Sequence, residues 1–215
     1  MKKVLRKITY LFLYLIATVL FKIFFKFKVI GRENELKNGK IIFASNHSSW
    51  FDFLLMAISV SPNKYIHFLA KEEVFKGFLK KFLEFMEIVP VKRDKIDRNV
   101  IKQSMNYLEK NENLGIFPEA TRSRDGHLQV DNFHSGASFF SIKANAPIQI
   151  VLIKGSFEAF SRERKLPKFF TKIRSKIYPP LYPEKYLEME FNNETVNQYN
   201  EELKDLFIKG LSEDW

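Results

Sequence analysis

The chain has 215 residues, 35 Lys and Arg against 25 Asp and Glu, a formal net charge of +10, and no cysteine. One domain with a sizeable core fits that length. The missing thiols exclude disulfides, cysteine-ligated metals and a cysteine nucleophile. The 46% hydrophobic content and 23 Phe argue against a disordered chain, and the charge favours an anionic partner such as acidic lipid, a phosphorylated substrate or nucleic acid.

The first six residues are basic, and residues 8–21 carry no charge. As a helix that uncharged stretch would measure ~21 Å, short of the ~30 Å hydrocarbon core. Lys22, Lys26 and Lys28 interrupt the apolar residues that follow, and no small-residue cleavage site appears. With Tyr10, Tyr14 and the phenylalanines from Phe12 to Phe27, residues 1–30 read as a membrane-anchoring helical segment. It lies in the interface with its lysines reaching the headgroups. Residues 31–215 form the second unit.

Residues 41–44, Ile-Ile-Phe-Ala, read as a buried strand. A polar turn, Ser45 to Ser49, leads into an apolar run over 50–60 that is long enough for a helix. His47 thus sits where a strand hands over to a helix, the place where open α/β sheets bind ligands. Asp52 follows in the first helical turn, within reach of the imidazole. A histidine with an acceptor that orients it is the core of a general-base device. The same residues also fit a capping box, with Ser49 as N-cap and Asp52 at N3, which would make Asp52 a cap and His47 a turn residue.

Strands are then expected over 65–70, 88–91, 114–117, 148–153 and 172–178, and helices over 71–85, 97–110, 134–144 and 195–211, the last capped by Asn193. The alternation predicts an α/β fold, a mixed, largely parallel sheet flanked by helices. Arg93, Glu119 and Arg122 each follow a strand end, as His47 does, so a parallel sheet would gather a base, two guanidinium groups and a carboxylate at one edge. Arginine forks suit phosphate. His67 reads as a sheet residue. His127 and His134 flank the loop after Arg122, and no histidine spacing suggests a metal site. Between 162 and 176 lies a basic stretch with Glu163 as its one opposing charge.

Two blocks carry a resemblance. Asn46-His47-Ser48-Ser49-Trp50-Phe51-Asp52 resembles the His-x4-Asp block of the glycerophospholipid acyltransferase family. Phe117-Pro118-Glu119-Ala120-Thr121-Arg122-Ser123 is similar to that family's Phe-Pro-Glu-Gly-Thr-Arg-Ser block, about 70 residues on. A weaker block ends in Arg93, and Pro147 to Val151 resembles the fourth. The family usually has glycine where Ala120 and Glu87 stand and a second proline where Ile150 stands; a Cβ at Ala120 fits if φ is negative.

The resemblance implies acyl transfer from acyl-CoA or acyl-carrier protein to a lysolipid hydroxyl, foremost that of 1-acyl-sn-glycerol 3-phosphate. No cofactor is implied beyond that co-substrate. His47 and Asp52 would be catalytic; Arg93, Glu119, Thr121, Arg122 and Ser123 would bind substrate. With no Gly-x-Ser-x-Gly elbow, transfer would be direct. The implied place is the cytoplasmic face of the cell membrane, and the partners are membrane lipids, the lysophospholipid acceptor and the acyl carrier. Another lysolipid or an amino-acid lipid is the alternative acceptor, and a lipid-binding protein without chemistry the alternative class. Nucleic acid is set aside, since no RNP, finger or helix-turn-helix signature accompanies the charge.

Overall fold

The computed structural model describes residues 1–92 and 98–215. In chain order the elements are α1 (Lys2–Phe25), β1 (Lys28–Ile30), β2 (Ile42–Ala44), α2 (Asp52–Ser59), β3 (Ile66–Lys71), α3 (Gly77–Phe85), β4 (Val89–Val91), α4 (Arg98–Glu109), β5 (Asn113–Ile116), α5 (Gly136–Ala144), β6 (Ile148–Lys154), α6 (Ser156–Phe160), β7 (Arg174–Ile177), α7 (Glu184–Leu187) and α8 (Asn193–Ser212). The strands form one sheet in the order β1-β7-β6-β2-β5-β3-β4. Every pairing is parallel except β6 with β7. The strand before His47 therefore lies in the middle of the sheet.

Both faces of that sheet are covered, which explains its continuous apolar strands. Ile42 and Ala44 point to one face, where α4, α5 and α8 supply Leu108, Phe140, Tyr199 and Phe207. Ile41 and Phe43 point to the other, against Met56 of α2 with Val151 and Ile177. The period of two in a four-residue run thus serves two cores at once.

The helix α1 has two unlike faces. Tyr10, Ala17, Phe21 and Phe25 are buried, and the last three pack with Leu55 and Ile58 of α2. Tyr10 Oη donates to the Lys64 carbonyl at 2.9 Å and Tyr14 Oη to the Val60 carbonyl at 2.9 Å. Ile8, Phe12, Leu15, Val19 and Ile23 are exposed; at 100° per residue they lie on the side away from Tyr10, Ala17 and Phe21. By length and composition the whole helix could cross a membrane, unlike its uncharged stretch alone. Lys28–Ile30, at the end of the expected N-terminal segment, form the edge strand β1 beside β7.

Two local expectations change. The helix expected over 71–85 is broken: Glu72–Val74 make a 3-10 turn, and α3 starts at Gly77, whose φ of 52° follows an extended Lys76. The cap of α8 is Asn192 rather than Asn193; its Oδ1 accepts from Thr195 N at 2.9 Å. Glu87 has φ 50°, so left-handed backbone persists where the resembled block has glycine. The Glu87 carboxylate pairs with Arg6 of α1, and Lys3 pairs with Glu112 at 2.8 Å. Buried His67 sits between these two carboxylates, 2.9 Å from Glu112 Oε2 and 3.8 Å from Glu87 Oε2, and stacks on Tyr107. The three groups are close enough to share a cation; Arg6 and Lys3 pair with the Oε1 atoms of Glu87 and Glu112, and His67 faces their Oε2 atoms.

Candidate functional site

The register of the central strands builds the site. Ala44 of β2 lies beside Ile116 of β5, and three residues beyond each comes His47 or Glu119. On the other side Ala44 lies beside Ile150 of β6. Asn46 closes that side with its amide: Oδ1 accepts from Ile153 N at 2.8 Å, and Nδ2 donates to the Ile153 carbonyl at 2.9 Å.

Asp52 is fully buried at the start of α2. Its Oδ2 accepts from Ser48 N at 2.6 Å and Ser49 N at 2.7 Å, and lies 3.0 Å from His47 Nδ1. The N-cap of α2 is Phe51, with no side-chain cap bond, so the capping box expected with Ser49 as N-cap and Asp52 at N3 gives way, and the carboxylate serves the turn before the helix and the histidine. The carboxylate anchors the turn by two backbone N–H groups and holds the imidazole by a third bond. In the pairing of an ionised carboxylate with a neutral imidazole, the carboxylate only accepts, so Nδ1 is the donor and Nε2 is the ring nitrogen with the free lone pair. The other face of the ring is fixed by Phe117, stacked at 4.3 Å and 23°. The His47 side chain is 20% exposed.

Glu119 is almost wholly buried. Its Oε1 accepts from His47 N at 2.6 Å and its Oε2 from Gln129 N at 2.9 Å. Burial pushes its carboxyl from the ordinary 4.5 up to about 7, against the two N–H bonds that favour the anion; the charges of Asp52 and Asp125 add to the rise. Ser123 N donates to the His47 carbonyl at 2.8 Å. The main chain of His47 is thus held at both its N–H and its C=O by the block around Glu119.

Arg122 contrasts with these groups. Its guanidinium carbon lies 3.4 Å from the centre of the Trp50 ring, a cation–π contact. Among the described residues its buried Nη1 has no hydrogen-bond partner. Burial pushes its pKa down, and the charge of Arg162 adds to that, yet an arginine stays charged at neutral pH. The charges of Asp52 and Glu163 act the other way; a half-buried guanidinium with one nitrogen lacking an acceptor among the described residues is suited to receive an anion.

The other expected residues are placed as follows. The Ser123 hydroxyl is spent on Asp125 Oδ1, at 2.7 Å, and on Gly126 N, so it shapes the loop. Thr121 is half-buried next to them. Arg93 lies outside the described residues. Ala120 has φ 51°, so the negative φ that would suit its Cβ is not what the backbone adopts; alanine stands in a left-handed turn. His127 lines a cavity of about 400 Å³ beside the turn, between Asn46 and Ser48 on one side and Leu128, Phe157, Ile208 and Leu211 on the other. His134 contributes a backbone N–H to the Pro118 carbonyl at 2.8 Å. Sequence reasoning missed Trp50, Phe117 and Gln129. Trp50 was absorbed into the apolar run of a helix, although α2 begins only at Asp52 and Trp50 is left exposed.

Comparison with known proteins bears on this arrangement. The family model described as Acyltransferase matches residues 26–154. Over 99 residues the chain is 31% identical to the 1-acyl-sn-glycerol-3-phosphate acyltransferase of Bacillus subtilis (strain 168), covering 46% of this chain and 49% of that protein. Over 134 residues it is 30% identical to a chloroplastic 1-acyl-sn-glycerol-3-phosphate acyltransferase of Arabidopsis thaliana, covering 60% and 36%. The matched stretch thus spans about half the length of the first relative and about a third of the second. Among solved structures, the 1-acyl-sn-glycerophosphate acyltransferase PlsC of Thermotoga maritima aligns with a TM-score of 0.77 at 24% identity, over 100% of this chain and 84% of that one. That likeness is one of fold.

Proposed function

Because this chain belongs to the acyltransferase family, we propose that it transfers a fatty acyl group from a thioester carrier to the hydroxyl of 1-acyl-sn-glycerol 3-phosphate, giving phosphatidic acid. The observation that carries this reading is the His47 Nδ1–Asp52 Oδ2 contact of 3.0 Å on a fully buried carboxylate. It leaves Nε2 as the base.

In this reading Nε2 takes the acceptor hydroxyl's proton as the oxygen attacks the thioester carbonyl. The C–O bond forms, the C–S bond breaks, and the imidazolium returns the proton to the leaving thiolate. Asp52 fixes the tautomer and stabilises the imidazolium; a base positioned in this way is typically worth ~10²–10⁴-fold. Glu119 acts through the backbone, holding His47 N–H and so the turn. Arg122 meets the acceptor's phosphate with its guanidinium, and Trp50 keeps its plane in place. Grip on the phosphate sets the distance from hydroxyl to base. The cavity beside Asn46 and Ser48 has apolar walls for part of an acyl chain. The reaction needs no cofactor beyond acyl-CoA or acyl-carrier protein, and the names of the B. subtilis and A. thaliana relatives support the acceptor.

The helix α1 associates with the membrane through its exposed apolar face. Its other face is docked from Arg6, paired with Glu87, to Phe25. Crossing the bilayer would break that ion pair and the bonds of Tyr10 and Tyr14, so the helix lies in one leaflet, and we place the domain on the cytoplasmic face of the cell membrane. The direct test supplies purified protein with labelled acyl-CoA or acyl-carrier protein and a panel of lysolipids. Labelled phosphatidic acid from 1-acyl-sn-glycerol 3-phosphate is the expected product. Acylation of a different lysolipid in its place would move the acceptor assignment.

A further inference from the structure

Between α6 and β7 the chain leaves the body of the domain as a loop, residues 161–173. Leu166, Phe169 and Phe170 on it are 77%, 53% and 68% exposed. Around them Arg162, Arg164, Lys165, Lys168 and Lys172 are exposed as well. The one acid, Glu163, pairs with Arg162 at 3.2 Å; among the described residues no carboxylate pairs with the other four cations. Phe170 has φ 63°, a backbone conformation that bulky side chains disfavour. The loop thus keeps a large apolar ring in water at a conformational cost, and such outliers point to function.

We propose that this loop is a second membrane contact, which inserts its apolar tips beside α1 and lays its cations on anionic lipid headgroups. Its direction rests on the reading of α1 as a membrane helix. Continuity with that helix is what selects a lipid surface over other anions. Phe170 N donates to the Phe24 carbonyl at 2.6 Å and Ile173 N to the Phe25 carbonyl at 3.0 Å, using acceptors that the end of a helix leaves open. The Phe169 ring packs on Phe24 and Phe25 at 5.4 and 5.8 Å. The loop is therefore mounted on the end of α1. Aromatic and aliphatic tips among lysines and arginines are the composition of an interfacial element.

The same loop is fastened to the candidate site. Ser161 bridges Ser49 in antiparallel fashion. The Phe160 carbonyl accepts from Trp50 N at 3.1 Å and from Ser49 Oγ at 2.8 Å. The depth at which the loop settles in the headgroup layer is thus passed to the His47 turn, and with it the height of the base above a membrane-bound acceptor.

The absence of native cysteine makes the test clean. Leu166→Cys and, separately, Leu15→Cys on the exposed face of α1 carry an environment-sensitive fluorophore in the otherwise intact chain. Each is mixed with phosphatidylcholine vesicles, with and without phosphatidylglycerol, and challenged with an aqueous quencher. Both labels should become protected, the one at 166 mainly on the phosphatidylglycerol vesicles. Lys165→Glu/Lys168→Glu should weaken binding to those vesicles by about 10- to 100-fold at low salt, since each headgroup cation is worth ~1 kcal/mol, and the difference should fade at high salt. A label at 166 that stays as quenchable with vesicles as without, while the one at 15 is protected, overturns the proposal and leaves the reading of α1 intact. If neither is protected, both fall. Protection at 166 by a DNA oligonucleotide but not by vesicles overturns it in favour of a nucleic-acid partner.

Discussion

The His47 turn and the Arg122 side chain stand at the same sheet edge and are built in opposite ways. His47 is held at its ring by Asp52 and Phe117, at its N–H by Glu119 and at its C=O by Ser123. Arg122 rests on Trp50, with a buried nitrogen that no described residue satisfies. Proton transfer tolerates little misplacement, so the group that performs it is fixed before substrate arrives. Anion binding gains from a group with donors still to be filled. The contrast assigns the chemistry to the closed half of the site and the acceptor's identity to the open half.

Breaking the closed half should have the largest effect. His47→Ala is expected to lower kcat by about 10²–10⁴-fold or more in a variant that still unfolds cooperatively in urea. Near-normal turnover in a folded variant would remove the general-base role. Next comes the open half: Arg122→Ala should lower kcat/KM for a phosphate-bearing acceptor by about 10- to 150-fold, the loss of a charge-assisted hydrogen bond of ~1.5–3 kcal/mol. Arg122→Lys should recover only part of it, lacking the fork.

Glu119 sharpens the comparison through pH. Its carboxyl is raised from 4.5 to about 7, so between those values the folded state holds more proton than the unfolded chain. Its contribution to stability is complete below about 4.5 and falls as pH rises through about 7, by up to ~3 kcal/mol across the window. Urea unfolding of wild type and Glu119→Gln at pH 5 and pH 8 should therefore show the wild type losing ground to the variant at the higher pH. Parallel profiles would mean that the carboxyl titrates normally. In activity the variant should be impaired at both values, because a Gln amide turns a donor toward one of two N–H groups. The smallest effect expected is Ala120→Gly, which relieves a left-handed alanine at φ 51° and should raise stability by about 0.5–1 kcal/mol with turnover little changed.

Much of the closed half was legible in the sequence, because its partners are close in the chain or repeat a local pattern. The run 41–44, the turn and the acid at 52 state a strand, a hand-over and a helix start within twelve residues. The alternation of elements likewise gives the largely parallel sheet. Glu119 as the acceptor for His47 N was not legible, since it depends on Ala44 lying beside Ile116, a register that pattern does not specify. Nor was the Trp50–Arg122 stack, a contact between two loops. Left-handed backbone at Ala120 and Glu87 went unseen because neither residue type signals it; Glu87 is tied to α1 by its pair with Arg6, and Ala120 N closes a local turn onto the Phe117 carbonyl. Residues 1–30 read as an anchor, with a helix covering the domain's own core as the alternative, whereas the helix is both, one face for the domain and one exposed, a division that shows only once α2 is packed beneath it.

The division of labour between the two halves is tested most directly by a cycle with the substrate as one partner. Acyl transfer by wild type and Arg122→Ala is measured on 1-acyl-sn-glycerol 3-phosphate and on monoacylglycerol, which lacks the phosphate. The loss from Arg122→Ala should be about 10- to 150-fold on the first and close to none on the second, on which wild type is already slow. Equal fractional losses on the two acceptors would contradict the account and return Arg122 to a structural or donor-side role.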